Sequence, residues 1–369
     1  MRYRLIPLAL LSLLGLTCAP RGEPKKADFD PPKIGTPLLT DGLILEKRIN
    51  AAIENVERRD LLTTHAFWTI FHGILGMGPD IPLLDPETGK RVKAIDQIAN
   101  GDKIRGLEFI ETPHGLDVVT MAGSGVGQGH QDQFVAEMTQ WDMPLDQPIL
   151  INGKKHRFEE FVRHSKMRTS VTRSQELGWA IVIISRHYGT NHRWTNMFGE
   201  ELSLEDAIRY ELKLPIPPAA CGGTHRLFGL TWAYHLHLQA GGKTEGVWRE
   251  VAEKLTEQID NAKKFQNKDG SFSSEYVSGP GFTNNIDRRI NTTGHVLEWL
   301  ALALTDQELR QRWVEDAAAA LTTMILNNKQ EAIDGGSLYH AMHGLYIHRQ
   351  RVYGTAGPRG LMVPLPPKK

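Results

Sequence analysis

The sequence predicts an all-α fold, a closed (α/α)6 toroid of alternating outer and inner helices, from three observations. A pattern of Gly-rich loop, polar residue and apolar segment with an aromatic, clearest in Cys221-Gly-Gly-Thr-His225-Arg-Leu-Phe-Gly-Leu-Thr-Trp, returns in altered form at His65, His130, Gln175, His295 and His340. These starts follow one another at intervals of 65, 45, 50, 70 and 45 residues, the mark of one supersecondary unit repeated, each copy unable to bury its apolar surface alone. Between them lie amphipathic segments with apolar residues every three or four positions, which show one face to solvent.

The amphipathic, outer set covers 43–60, 91–99, 158–167, 204–213, 244–265 and 306–327. Thr305 followed by Glu308 forms a capping box and Ser203 followed by Asp206 a second, and both fix helix starts where the period requires them. Inner helices, covered on their outer side, should be apolar nearly all round, and these are. The run 107–120 breaks the helical period, and two β-rich stretches around Thr112-Pro113-His114-Gly115 predict one inserted β-hairpin. The glycines between Gly123 and Gly129 lack the lysine of a phosphate-binding loop and no βαβ unit follows, so this stretch reads as a flap over the cavity. Asn285 to Asn291, with its charges, precedes the fifth inner segment.

The chain opens with Met1-Arg-Tyr-Arg4 and the apolar run Leu5 to Leu16. That run is shorter than the roughly 20 residues a spanning helix needs and reads as an export signal over 1–18, with Cys18 placed as a lipid anchor. A Pro-rich linker occupies 19–42 and cannot form a core. The toroid domain is expected over 43–352 and a C-terminal tail over 353–369. This places the protein in the periplasm or cell envelope, touching membrane only through a lipid anchor or an uncleaved signal. With 43 basic and 43 acidic residues the formal charge is zero, which offers no basic surface for nucleic acid. Beyond Cys18 the only cysteine is Cys221, so no disulfide forms within the exported chain.

The segment Phe265-Gln266-Asn267-Lys268-Asp269-Gly270-Ser271-Phe272 resembles the Gln…Gly-x-Trp element of triterpene cyclases, and Asp334-Gly335-Gly336-Ser337-Leu338 resembles a degenerate second copy. From about residue 43 the chain is similar to the terpenoid cyclase and protein prenyltransferase toroid superfamily. That resemblance implies the architecture and a glutamine and aromatic that tie one hairpin to the next. It does not carry the chemistry, because the cyclases' Asp-x-Asp-Asp motif is absent and the prenyltransferases' zinc ligands find no matching positions. The runs HAFWTIFHGILGMGP, GHQDQF and ACGGTHRLFGL also resemble a bacterial group of exported proteins of unknown function. Some of that group carry a label as GTPase activators for ADP-ribosylation factors, an activity whose fold needs a four-cysteine zinc finger that two cysteines cannot supply.

Candidate functional residues begin the inner segments. If the six units run in one sense, their helix N-termini, each with unpaired N–H groups and about half a positive charge, gather at one mouth of the cavity. A carboxylate, sulfate or phosphate is favoured there, with imidazoles to act as acid or base near neutral pH. His130, Asp132, His225 and His295 are the catalytic candidates; His65, Gln175, His340 and His343 the ligand-binding ones. Glu176 and Asp287 are the other acids at that level. No motif demands a cofactor; a zinc ion would find ligands in Cys221, His225 and His295, though no short pair such as Cys-x-x-Cys or His-Glu-x-x-His is present. The same recurrence equally suits histidines that only hold neighbouring hairpins in register. Two functions follow: an exported binding protein for an anionic small molecule or saccharide, or a toroid-type lyase or hydrolase using rim His and Asp, with a zinc-dependent version.

Overall fold

Two capping boxes read from the sequence are formed, one at the start of the helix Leu204–Lys213 and one at the 3-10 turn Glu308–Arg310 that precedes the helix expected from 306, which begins at Arg312. Ser203 Oγ accepts from Asp206 N while Asp206 Oδ2 accepts from Ser203 N, 2.8 Å, and Thr305 and Glu308 exchange the same pair of bonds. The protein is described here from a computed structural model covering residues 42–216, 219–355 and 363–366. The export segment 1–18 with Cys18, the linker except its last residue, and most of the tail lie outside the described residues.

The chain is mostly helical, with twelve α-helices among the described residues: α1 Gly42–Glu57, α2 Phe67–Met77, α3 Ala94–Ala99, α4 Gln133–Gln140, α5 Phe158–Arg168, α6 Gly178–His187, α7 Leu204–Lys213, α8 Thr224–Gln239, α9 Val247–Lys264, α10 Ile286–Ala303, α11 Arg312–Asn327 and α12 Gly335–Tyr353. The even-numbered helices carry the long buried stretches, although α8, α10 and α12 hold many polar side chains and are not apolar all round. Each packs on the next, α2 on α4, α4 on α6, α6 on α8, α8 on α10 and α10 on α12, and α12 packs on α2. The odd-numbered helices lie against them, α1 on α12, α3 on α2, α5 and α7 on α6, α9 on α8 and α11 on α10. No described helix is long and apolar enough to cross a membrane.

Two features join successive pairs. Gln266, just after α9, donates from Nε2 to Gly270 O at 2.8 Å and to Trp313 O on α11 at 2.7 Å, so the glutamine does bridge neighbouring units. Between α10 and α12 the backbones touch. A Cβ on Gly344 would stand 2.8 Å from Glu298 N, and one on Gly294 would stand 2.7 Å from Ala341 Cα; the missing side chains set the spacing of these helices.

The hairpin expected over 107–120 is there: β4 Phe109–Thr112 pairs antiparallel with β5 Gly115–Val118. The expectation of a single hairpin needs correction. Antiparallel pairs also join β2 Pro82–Leu84 with β3 Arg91–Lys93, β6 Pro148–Ile151 with β7 Lys154–Arg157, and β8 Arg193–Thr195 with β9 Glu201–Ser203. The strand β1 Leu61–Leu62 adds parallel to β2. Each extra pair runs straight into an outer helix, α3, α5 or α7. Strands of three or four residues are too short for an alternating pattern to register. The signal that was present is Asn152-Gly153, both at positive φ (51° and 78°), the two-residue turn that closes β6 onto β7.

Gly344→Ala should lower stability by about 1–3 kcal/mol through overpacking, measured by urea midpoint; an unchanged midpoint would show that α10 and α12 can separate freely. A second expectation concerns acid. Burial lowers His235, whose Nδ1 donates to Pro364 O at 2.9 Å, and His348, each to about 4. Their folded-state values fall below the unfolded 6.5 or so, so the unfolded chain takes the proton first. The stability they contribute is therefore complete above about pH 6.5 and is lost as pH falls toward 4. His235→Asn, which keeps a donor for Pro364 O, should flatten the fall in melting temperature between pH 7 and 4.5.

Candidate functional site

The turn Cys221-Gly222-Gly223 sets a thiol at the start of α8. All three residues have positive φ, 48°, 64° and 82°, and Gly222 could carry no side chain, because a Cβ there would fall 2.2 Å from the Tyr276 ring. Holding a cysteine in the left-handed region opposes its intrinsic preference. The result is a thiol directed at two imidazoles: ligand atoms of Cys221, His130 and His225 all lie within 4.8 Å of one another. His130 precedes α4; its Nδ1 donates to Glu176 Oε2 at 2.8 Å, and the ring is also a hydrogen-bond partner of the thiol. The other Glu176 oxygen stands 3.8 Å from His225 Nδ1.

The electrostatics of this group favour separated charge. Burial pushes the Cys221 thiol up, but the imidazoles of His225 and His295 outweigh it and hold it well below its ordinary value. Burial pushes His225 down, and the facing Cys221 and Glu176 more than reverse this; His130 is raised for the same reason, against burial, by Cys221 and Glu176. Glu176, raised by burial, is brought down to about 2 by His130 and His225. A thiolate next to an imidazolium at the positive end of a 16-residue helix is the outcome these groups support. A cavity of about 240 Å³ opens onto Cys221 and is lined also by Ala219, Gly222, Glu275, Tyr276, Ser278 and Arg288. A second opening of about 110 Å³ reaches Gln175, Glu176 and Arg226.

Behind the thiol the imidazoles continue inward. His225, His295 and His340 form a second group with ligand atoms within 4.8 Å of one another, all buried, so the described residues contain two histidine-rich groups able to hold a metal. His295 Nδ1 donates to Asn291 O at 2.8 Å, and His340 and His343 donate from Nδ1 to the two oxygens of Glu298 at 2.7 and 2.5 Å. His72 donates from Nδ1 to Trp68 O at 2.7 Å and accepts at Nε2 from Gln133 Nε2 at 3.2 Å. Burial raises Glu298, but His340 and His343 hold it below the usual carboxylate range. His340 is lowered to about 4, burial and His295 outweighing Glu298. Glu137 is fully buried beside Gln133; burial and then the charge of Glu298 push it well above the usual carboxylate range.

Of the sequence candidates, the fold brings His130, Cys221, His225, His295, His340 and His343 together. His65 stands apart, accepting from Leu62 N at 3.2 Å; the imidazole that reaches the interior from that unit is His72, two turns later on α2. Asp132 is a buried ion-pair partner of Arg168, 2.6 Å away, and Arg168 also pairs with Asp117. Gln175 folds back on its own loop, accepting from Ser170 N and donating to Arg168 O, while its neighbour Glu176 enters the site. Asp287 accepts from Asp334 N at 2.9 Å, linking the starts of α10 and α12. The expectation that these residues all begin inner helices needs correction. Asn285 caps a helix whose first turns are the charged 286–291 stretch, so His295 sits mid-helix on α10 and His340 lies in the second turn of α12. The gathering of side chains thus does not coincide with a gathering of N-termini. His72, Gln133, Glu137, Tyr276, Arg288 and Glu298 were missed, though His340-x-x-His343 and His295-x-x-Glu298 place two groups on one helix face. No protein-family model matches the chain, and no curated protein matches it.

Arg168→Met should leave the buried Asp132 without its cationic partner, while Asp117 keeps His164, and cost about 3–5 kcal/mol of stability without altering the reactivity of Cys221 toward iodoacetamide. A changed alkylation rate in the folded variant would place that ion pair in the site.

Proposed function

We propose that the protein is a thiol-dependent acyl hydrolase or transferase built on an α/α toroid, with Cys221 as nucleophile, His130 as general base and Glu176 as the group that orients it. The observation that carries this reading is the juxtaposition of Cys221, His130 and the Glu176 carboxylate, with Cys221 lining one solvent-facing cavity and Glu176 lining a second. Nucleophile, base and orienting carboxylate in that order are what acyl transfer requires, on whatever fold they occur. The closed cycle of contacts among the even-numbered helices supports the toroid, and the left-handed turn before α8 presents the thiol much as a strained turn presents other nucleophiles. Export to the cell envelope, expected from residues 1–18, remains part of the proposal.

The chemistry runs in two balanced steps. His130 takes the thiol proton, and Cys221 Sγ attacks the acyl carbon; the carbon–sulfur bond forms as the bond to the alkoxide or amine breaks, and that leaving group takes the proton from His130. Water, giving a proton to His130, then attacks the thioester carbon, and the thiol recovers that proton as the acid leaves. The positive end of α8 favours the thiolate and the negative charge that develops beside it. Arg288 lines the cavity with no carboxylate in ion-pair distance among the described residues; its guanidinium donates to Ser274 O at 2.7 Å and to Tyr276 Oη at 3.3 Å. A guanidinium held there by neutral acceptors and without a carboxylate partner favours substrates bearing a carboxylate, the anionic ligand the sequence led us to expect.

Hydrolysis of p-nitrophenyl hemisuccinate compared with p-nitrophenyl butyrate tests this. Cys221→Ala should abolish turnover, His130→Gln should lower kcat by about 10²–10⁴, and Arg288→Ala should raise KM for the hemisuccinate alone. Full activity in Cys221→Ala would sink the proposal, as would alkylation of Cys221 by iodoacetamide at neutral pH no faster than that of free cysteine.

A further inference from the structure

Burying imidazoles this densely needs an explanation that a thiol nucleophile does not give. The proposed chemistry uses Cys221, His130 and Glu176, yet beyond them His225, His295 and His340 converge from three successive even-numbered helices, α8, α10 and α12, with 2%, 2% and 1% of their surface exposed. His295 Nε2 and both nitrogens of His225 have no hydrogen-bond partner. Two of the rings are already fixed from behind: Asn291 O holds His295 Nδ1, and Glu298 holds His340 Nδ1. Each therefore keeps its proton on Nδ1 and turns a lone pair at Nε2 inward. A carboxylate or carbonyl on the far nitrogen is the usual support of a metal-binding histidine.

We infer that His225, His295 and His340 bind a divalent d-block cation of the zinc class, with Glu298 as the residue that positions His340. Ligand type selects the ion: imidazole suits zinc, cobalt or nickel, whereas calcium and magnesium take oxygen, and His225, raised by Cys221 and Glu176, gives up a proton as the ion binds. The spacing is close to what such an ion needs. Tetrahedral zinc with bonds of about 2.0–2.1 Å sets its nitrogens about 3.4 Å apart, and here the three ligand atoms lie within 4.8 Å, so modest ring rotations close the site. Three protein ligands leave the fourth position of a tetrahedral ion to water or a bound anion. The ion would pin α8, α10 and α12 together directly behind the thiol turn. Because Cys221 and His130 form a competing group with the same His225, the test has to separate the two.

The full chain is stripped with dipicolinate, reloaded with Zn2+ or Co2+, and its metal content measured by mass spectrometry alongside the cobalt absorption spectrum. One ion per chain is expected, with a visible tetrahedral cobalt spectrum and no thiolate-to-cobalt charge-transfer band. Cys221→Ser should keep that ion, His295→Ala and His340→Gln should lose it, and Glu298→Gln should bind it 10- to 100-fold more weakly. An apo-protein that takes up no stoichiometric ion overturns the inference and leaves the nucleophile intact. A thiolate charge-transfer band, or loss of metal in Cys221→Ser, moves the ion to Cys221, His130 and His225 and overturns both readings. Should the histidine variants fail to fold, the cobalt spectrum of the unaltered chain and the Cys221→Ser stoichiometry still decide.

Discussion

The carboxylate of Glu298 is the interaction on which the interior depends. It lies between α10 and α12, buried, and each of its oxygens accepts from one imidazole, His340 on one side and His343 on the other. A charge in that position survives only because both oxygens are satisfied. Its presence forces the two helices close, and the glycines at 294 and 344 make the approach feasible. Their contact in turn orients the face of α12 from which His340 reaches His295, with ring centres 3.9 Å apart, and His72 at 5.3 Å. One buried carboxylate thus couples helix spacing to imidazole placement.

The thiol turn is built on a different constraint. Cys221, held in the left-handed region ahead of two glycines that adopt it freely, stores strain that the surroundings must hold. Tyr276, packed against Gly222 and bonded through its hydroxyl to Asn291 Oδ1 at 2.6 Å, supplies part of that support. Asn291 is also the residue whose carbonyl holds His295. The turn that aims Cys221 outward and the helix that aims His295 inward are therefore fastened at one point, and the site has an open side and a closed side sharing His225.

The small strand pairs belong to the scaffold and not to the chemistry. Those before α3, α5 and α7 fix where these outer helices begin, while β4 and β5 pack beside α5 and hold His164, whose Nδ1 meets Thr112 Oγ1 at 2.9 Å. Polar contacts on this side, such as Arg168 between Asp117 and Asp132, brace the approach to α4 without reaching the thiol.

The sequence by itself determined the helical character of the chain, the alternation of amphipathic and apolar segments, the capping boxes at Ser203 and Thr305, and the set of histidines worth watching. These follow from periodicity and from local side-chain-to-backbone bonds, which need only neighbours in the chain. Tertiary structure alone decided which of those residues meet. A histidine's distance from its repeat start does not say how far along its helix the cluster lies, so His65 was chosen where His72 reaches the interior, and His295 was put at a helix start it does not occupy. Glu298, Glu137 and Arg288 carry no motif; each matters through what stands opposite it on another helix or loop. Hydrophobic period fixes which face of a helix turns inward, but the depth at which polar groups on different helices meet depends on crossings and close contacts made by residues far apart in the chain.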